Sequence, residues 1–450
     1  MIYKVKWNQF KMIQNLELDF KKADGTIYNT IVIAGENGTG KTTILETLAT
    51  FLNLQSIKPF EYLEYSVSGH NYRIEQNSNY SDLGFHKRID LSNGNQEEIR
   101  SGLNNREELI KNDPKDIRYY GCSYSKARSG FQTGTVNSVT TQQLDMDKYE
   151  LDNSDDFTKI KQMIIDIEQQ DAMAWLEESK RGGIEDSQFE EFRNVRSKSS
   201  RFINSFNAFF DDIQYDKIDD SSTSKKDILF KKQGINISID QLSTGEKQIV
   251  FRGAHLLRNM KNISGGVVFI DEPELSMHPL WQKKILNYYR GLFTVAGIQN
   301  VQMFFATHSE YVIKSALEDK DNVLVIILDN DNGIIRGHKI TAPPNALPVI
   351  TSAEINYLAF NLPSIDYHIQ LYGYLQSKTQ KHRISECDSF IATQPQYDPV
   401  KHEKIDFYNG QSFQTLPTYI RNAIDHPDSG RQYTEEELEE SIRLLIELCK

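Results

Sequence analysis

The 450-residue sequence predicts an α/β fold, and three apolar strands that end in reactive residues predict it. Thr30-Ile31-Val32-Ile33-Ala34 reads as a buried strand. It runs into a glycine loop, Gly35-Glu36-Asn37-Gly38-Thr39-Gly40-Lys41-Thr42, and then into a helix beginning Thr43-Ile44-Leu45-Glu46. Val267-Val268-Phe269-Ile270 ends in the acid pair Asp271-Glu272, and Phe304-Phe305-Ala306-Thr307 ends on His308. Short apolar runs with no polar face are what strands buried on both sides of a sheet leave in a sequence.

Along the chain, residues 1–50 give strand, strand, glycine loop and helix. Asp24-Gly25 supplies a turn before the buried strand. Short alternating runs such as Tyr62–Val67 and Asn71–Ile74 predict an antiparallel β subdomain over about 60–100. Ile117–Tyr124 is expected to be a strand, followed by a loop carrying Gln132, Gln142 and Gln143. Residues 154–215 read as mostly helical, with apolar spacing at Ile160, Met163, Ile164 and Ile167, then Phe202, Phe206, Phe209 and Phe210. Asp219–Ser224 reads as a linker. The core resumes after 226 with Ile228-Leu229-Phe230, and its last strand is expected at Val323–Leu328, turning at Asn332-Gly333. Beyond Pro343-Pro344 the pattern becomes helical. The predicted organisation is therefore a split α/β domain (1–150 and 226–345), a helical insert (151–225) and a helical C-terminal domain (346–450).

Composition narrows the classes. The formal net charge of −12 argues against a surface that coats nucleic acid indiscriminately. The three cysteines, Cys122, Cys387 and Cys449, are odd in number and far apart, which suggests a reducing compartment without a disulfide framework. No run of about 18 apolar residues occurs and the N-terminus lacks the apolar core of a signal peptide. A cytoplasmic protein without a membrane segment is expected.

The motifs carry specific chemistry. The loop at 35–42 is a complete G-x-x-x-x-G-K-[ST] sequence in strand–loop–helix context, where backbone N–H groups curl around a triphosphate. Gly35, Asn37, Gly38, Gly40 and Thr43 belong to that cradle, Lys41 reaches the β- and γ-phosphates, and Thr42 offers a hydroxyl to Mg²⁺. ATP with Mg²⁺ is the expected ligand. A buried strand delivers Asp271 to the metal, Glu272 stands where it can polarise an attacking water, and His308 can hold that water against the γ-phosphate. Leu242-Ser243-Thr244-Gly245-Glu246 opens a helix with a second set of anion-directed donors. One chain already has a phosphate loop, so Ser243 and Gly245 are expected to close over the nucleotide of a second copy.

The order of these motifs, with Asp-Glu-Pro-Glu-Leu-Ser-Met-His-Pro at 271–279 and Ala-Thr-His-Ser at 306–309, resembles the ABC-type ATPases. More narrowly it resembles their soluble SMC-like branch, which includes the overcoming-lysogenisation-defect nucleases and the ATPases of bacterial anti-phage systems. The resemblance covers about 1–50 and 226–330. It implies a head-to-tail dimer or higher homo-oligomer with ATP between phosphate loop and signature. Carried onto this sequence, Lys41 and Thr42 bind phosphate and metal, Ser243 caps the partner's γ-phosphate, Asp271 supports Mg²⁺, Glu272 is the catalytic carboxylate and His308 the switch histidine. A glutamine of the metal shell falls on Gln132.

Departures from the relatives narrow the expectation further. The long coiled coils of chromosome-tethering relatives are absent. Asp329-Asn330-Asp331-Asn332-Gly333 has residues in common with the nuclease domain of some relatives, but Asn332-Gly333 between two apolar runs is a hairpin signal. The size and architecture look most like the ATPases of two-gene Septu systems. That likeness implies slow ATP hydrolysis used to regulate an HNH nuclease partner, with nucleic acid met through the complex. A clamp that holds DNA for maintenance or repair, without nuclease output, is the contrasting class.

The C-terminal segment Arg421-Asn422-Ala423-Ile424-Asp425-His426 contains R-N-x-x-x-H before Pro427, and Thr434-x-x-Glu437 caps a final amphipathic helix. The pair resembles the end of HEPN domains, whose metal-independent RNases use such an Arg and His. On a helix Arg421 and His426 would roughly share a face, as an RNase site or as a docking surface.

Overall fold

Thr30–Gly35 is buried along its whole length and lies at the centre of the main sheet. The computed structural model describes residues 1–55, 57–77, 85–100, 112–141, 149–150, 152, 156–182, 186–222, 225–258, 263–295, 297–340, 346–408 and 410–450. The chain divides into two compact units, Met1–His338 and Lys339–Lys450.

The main sheet is ordered Ile334–Ile340, Val323–Asp331, Thr30–Gly35, Gln302–Thr307, Val267–Asp271, Cys122–Ser125, Tyr149–Glu150. From Val323–Asp331 onward every neighbouring pair is parallel. Ala34 stands opposite Thr307 on one side and Ile327 on the other, and Asp271 stands opposite Ala306. The three motif strands thus finish almost level, at the end of the sheet where open parallel sheets bind ligands. The helix Lys41–Leu52 buries Ile44, Leu45, Leu48 and Phe51. These share one apolar cluster with Ile33, Phe269 and Phe304 of the sheet and with Trp7 and Phe60 of a second sheet. Each such side chain contributes about 1.5–3 kcal/mol on burial, so the cluster fixes the glycine loop on a rigid floor.

The second sheet is antiparallel, as the alternating runs predict, and Ile2–Trp7 and Glu17–Asp19 join it at one edge. In the insert, Thr158–Gly182 and Ser200–Phe209 are helical and bury Ile160, Met163, Ile164, Ile167, Phe202, Phe206 and Phe209.

Three segments depart from expectation. Ile117–Tyr120 is a 3₁₀ turn, and only Cys122–Ser125 is extended. The Asp116 carboxylate accepts the Arg118 backbone N–H at 2.9 Å and pairs with the Arg118 guanidinium at 2.8 Å, so local side-chain bonding outcompetes the ladder. Ile213–Asp219, expected to finish the helical segment and begin a linker, is a strand paired antiparallel with Asp227–Lys232. Its alternation of Ile213 and Tyr215 inward with Gln214 outward is the period-2 signal that the preceding phenylalanines obscured. The C-terminal unit is not wholly helical. Its helices Ser352–Phe360, Ile365–Thr379, Ile384–Ala392, Leu416–Asp425 and Glu435–Cys449 are accompanied by the hairpin Glu403–Tyr408 and Gln411–Thr415.

Asn332 and Gly333 adopt φ of 53° and 88°, the paired positive values of a type I′ hairpin turn, and Asp329 reaches His338 across the strands at 3.0 Å. The hairpin reading of this acidic stretch holds. Thr434 and Glu437 form the expected capping box, with Thr434 N–H to Glu437 at 2.9 Å and Glu437 N–H to Thr434 Oγ1 at 3.2 Å. All three cysteines are buried free thiols. No helix among the described residues is long and apolar enough to cross a membrane.

Candidate active site

The glycine loop needs its glycines for two separate reasons. At Gly35 an added Cβ would lie 2.3 Å from the Leu328 carbonyl oxygen, so the strand could not pass its neighbour. Gly40 is left-handed, at φ 88°, and hands the chain to the helix Lys41–Leu52. Asn37, Gly38 and Thr42 are exposed at the mouth, whereas Thr43 is buried.

Lys41 is buried, and its ammonium donates to the carbonyl oxygens of Gly35 and Glu36, both at 2.7 Å. Burial lowers its pKa to about 8, opposed by the nearby charges of Glu272, Asp271 and Glu274. The Thr42 hydroxyl donates to Asp271 at 3.0 and 3.2 Å from the two carboxylate oxygens, joining residues 229 positions apart. Burial pushes the Asp271 carboxyl up to about 6, against the pull of Thr42 and of Arg252.

Glu272 has φ 44°, an unusual conformation for a residue with a side chain, and its backbone N–H bonds the Ala306 carbonyl at 2.8 Å. Its carboxylate stands 3.4 Å from His308 Nε2, and both side chains are partly exposed. The hydrogen bond to His308 holds Glu272 below the usual carboxylate range. The acid pair and the histidine therefore face each other across the ends of neighbouring strands.

Arg252 was not legible as a site residue, yet it organises this corner. Its fully buried guanidinium donates to the carbonyls of Asp271 at 2.6 Å, Glu272 at 2.9 Å and Ser125 at 3.0 Å, and to Ser125 Oγ at 2.9 Å. It stands in a π turn, Gln248–Arg252, within the helix that begins at the signature. Such turns cost hydrogen-bond quality and recur at functional sites. A lone Arg in an apolar helix was the only signal, and its partners lie in other segments.

The signature residues begin that same helix. Ser243 is exposed and caps it: its Oγ accepts the Glu246 N–H at 3.3 Å while its own N–H bonds the Glu246 carboxylate at 2.8 Å. An added Cβ on Gly245 would lie 2.8 Å from the Ser276 carbonyl, so the helix start packs directly on the loop that follows the acid pair. His278 and Ser309 are N-caps, to helices Pro279–Leu292 and Glu310–Glu318.

Two expected assignments do not converge here. Gln132 is exposed, and its backbone bridges Asp156 beside the start of Thr158–Gly182. No hydrogen bond from its side chain to Thr42 or Asp271 occurs among the described residues. Gln142 and Gln143 lie outside the described residues. In the C-terminal unit, the helix Leu416–Asp425 stops before His426, whose φ of −129° and ψ of 70° are not helical. Arg421 is ion-paired with Asp425 at 2.5 Å. Asn422 is fully buried and bonds Asp406 at 3.2 Å. Arg421 and His426 thus do not share a helix face.

The donor set suits a magnesium nucleotide. Thr42 and Asp271 offer hard oxygen ligands from one side only, which is what a Mg²⁺ otherwise filled by phosphate oxygens and water requires. Among the described residues no group of three or more His, Cys, Asp or Glu is arranged to hold a metal by itself.

Residues 31–314 match the protein family described as "AAA domain, putative AbiEii toxin, Type IV TA system". The chain belongs to this family. It is an ATPase, and its ligand is a nucleotide. It is 24% identical over 396 residues to a "Retron Vc95 probable ATPase" of Vibrio cholerae serotype O1 biovar El Tor, covering 69% of this chain and 73% of that protein. It is 20% identical over 353 residues to the "Septu protein PtuA" of Bacillus mycoides (strain KBAB4), covering 73% of this chain but only 41% of PtuA. The likeness to Septu ATPases expected from size and architecture is thus met by a Septu relative. Among solved structures, an SMC head domain from Thermotoga maritima aligns with a TM-score of 0.38 at 13% identity, over 76% of this chain and 99% of that domain.

Proposed function

We propose that this ATPase binds ATP and Mg²⁺ between two copies of the chain, hydrolyses it slowly, and uses the cycle to gate a nuclease supplied in trans, of the HNH type, in defence against phage. The observation that carries the reading is the convergence of Thr42 on Asp271 beside the Glu272–His308 pair, from segments far apart in sequence. The retron and Septu names of its relatives support the defence assignment.

Thr42 and Asp271 would hold a Mg²⁺ ion, which would supply positive charge to offset that of the phosphates. The Lys41 ammonium, held by the Gly35 and Glu36 carbonyls, exchanges them for phosphate oxygens when the nucleotide binds. Glu272, ionised at neutral pH, accepts a hydrogen bond from the attacking water and orients it. The His308 imidazole fixes the Glu272 carboxylate through Nε2 and so holds it against the attacking water. Such a positioned base is worth about 10²–10⁴-fold in rate. Ser243, exposed at a helix start, presents its hydroxyl to the nucleotide of the second copy, with the buried Gly245 in the first turn of the same helix. Their shared helix carries Arg252, so closure of the signature on a partner is mechanically joined to the backbone of the acid pair.

The test is turnover and cleavage by the purified full chain. ATP hydrolysis should require Mg²⁺, rise more than linearly with protein concentration, and vanish in Glu272→Gln. Labelled DNA and RNA should remain intact with the chain alone, with or without ATP. Strictly linear concentration dependence in Ser243→Arg as in wild type would refute the shared site. RNA cleavage lost in His426→Ala would refute a nuclease supplied in trans and restore the single-chain RNase.

A further inference from the structure

Glu274, two residues beyond the proposed catalytic acid, has a buried carboxyl that the mechanism above does not use. Its Oε1 accepts two hydrogen bonds from the loop after the histidine strand, from the Thr307 hydroxyl at 2.6 Å and the His308 backbone N–H at 2.8 Å. The Thr307 hydroxyl in turn accepts the Ser309 N–H at 3.0 Å. Its Oε2 is buried without a hydrogen-bond partner.

A buried carboxyl with half its bonding capacity unmet is costly, and a shorter polar side chain could not span from one loop to the other. What the position gains is a clamp between the loop of Glu272 and the loop of His308. The same two loops are joined by the Glu272 N–H to the Ala306 carbonyl at 2.8 Å, and they present Glu272 and His308 to each other at 3.4 Å. The clamp bonds the backbone of His308 itself and leaves the imidazole free to act.

We propose that Glu274 is a positioning residue that sets the His308 imidazole against the Glu272 carboxylate and so against the attacking water. The inference rests on the roles given above to Glu272 and His308. Burial raises the Glu274 carboxyl above the usual range, so a neutral glutamine is a close mimic.

The test is a double-mutant cycle on ATP turnover in the full chain, using Glu274→Ala, His308→Ala and both together, with Glu274→Gln as the conservative variant. Glu274→Ala should lower kcat about tenfold or more and move KM for ATP less than about twofold. Glu274→Gln should recover to within about threefold of wild type, because its Oε1 accepts both bonds. In the His308→Ala background, Glu274→Ala should cost less than about twofold, since its effect runs through a residue already gone. Should the alanine chain melt below the assay temperature, Thr307→Val, which removes one of the two donors, replaces it in the cycle. Effects that multiply in the double variant, or a loss that falls on KM as much as on kcat, would overturn the inference while leaving Glu272 and His308 in place. Full activity in His308→Ala would instead overturn the mechanism on which it rests.

Discussion

Glu354→Gln should stabilise the C-terminal unit at alkaline pH and leave it nearly unchanged in mild acid. Glu354 is fully buried, and its Oε1 accepts the Ala346 N–H and the Tyr367 hydroxyl, both at 3.4 Å. Its Oε2 is buried without a hydrogen-bond partner. Burial raises the carboxyl from 4.5 to about 7, against the pull of the Ala346 and Leu347 backbone N–H groups. The folded state therefore binds more protons than the unfolded one between those values. The stability this group contributes is complete below the unfolded value and lost as pH rises through the folded one. At about 1.36 kcal/mol per pKa unit, ionising it at pH 8 costs about 3 kcal/mol, and solvent screening lowers the realised figure to about 2. Glutamine keeps the accepting Oε1 and carries no charge at any pH. Amide exchange over residues 346–379 in the full chain, corrected for the intrinsic pH dependence, reads this directly. The variant should be about 2 kcal/mol more protected than wild type at pH 8 and within about 1 kcal/mol at pH 5. An equal difference at both pH values, or a less protected variant at pH 8, would refute the reasoning.

Two further substitutions probe the signature helix. Gly245→Ala should lower stability by about 1–2 kcal/mol in urea titration, because its Cβ would stand 2.8 Å from the Ser276 carbonyl and the backbone must shift; an unchanged midpoint would contradict the packing. Arg252→Lys keeps the charge but loses the fork that reaches Asp271, Glu272 and Ser125 together. It should cost about 2–4 kcal/mol of stability and at least tenfold in kcat, read by melting and ATP turnover; wild-type turnover would show that the guanidinium does not organise the acid pair.

The core was legible because its strands are buried on both faces and carry their reactive residues at their ends. Thr30–Gly35, Val267–Asp271 and Gln302–Thr307 needed only apolar run length and a terminal motif to be found. Adjacency was less accessible, since the histidine strand lies between the other two and no local pattern states that order. Arg252 and Glu274 escaped for a related reason: each acts through partners in other segments, so neither makes a spacing signal. Ile117–Tyr120 misled because alternating bulk looks like a strand, whereas Asp116 and Arg118 bond the backbone into a turn. In Arg421 and His426 a motif was visible but its geometry was not, because the helix ends at Asp425.

The central claim is a nucleotide shared by two copies, and the most direct measurement is the mass of Glu272→Gln in solution with and without ATP·Mg²⁺, together with the nucleotide bound. Without its polarising carboxylate the site should bind but not turn over, so the variant should become a dimer on adding ATP·Mg²⁺ and retain one nucleotide per chain. Adding Ser243→Arg to it should abolish the dimer while each chain still binds ATP. A variant that stays a monomer, or that binds no ATP, would contradict the account.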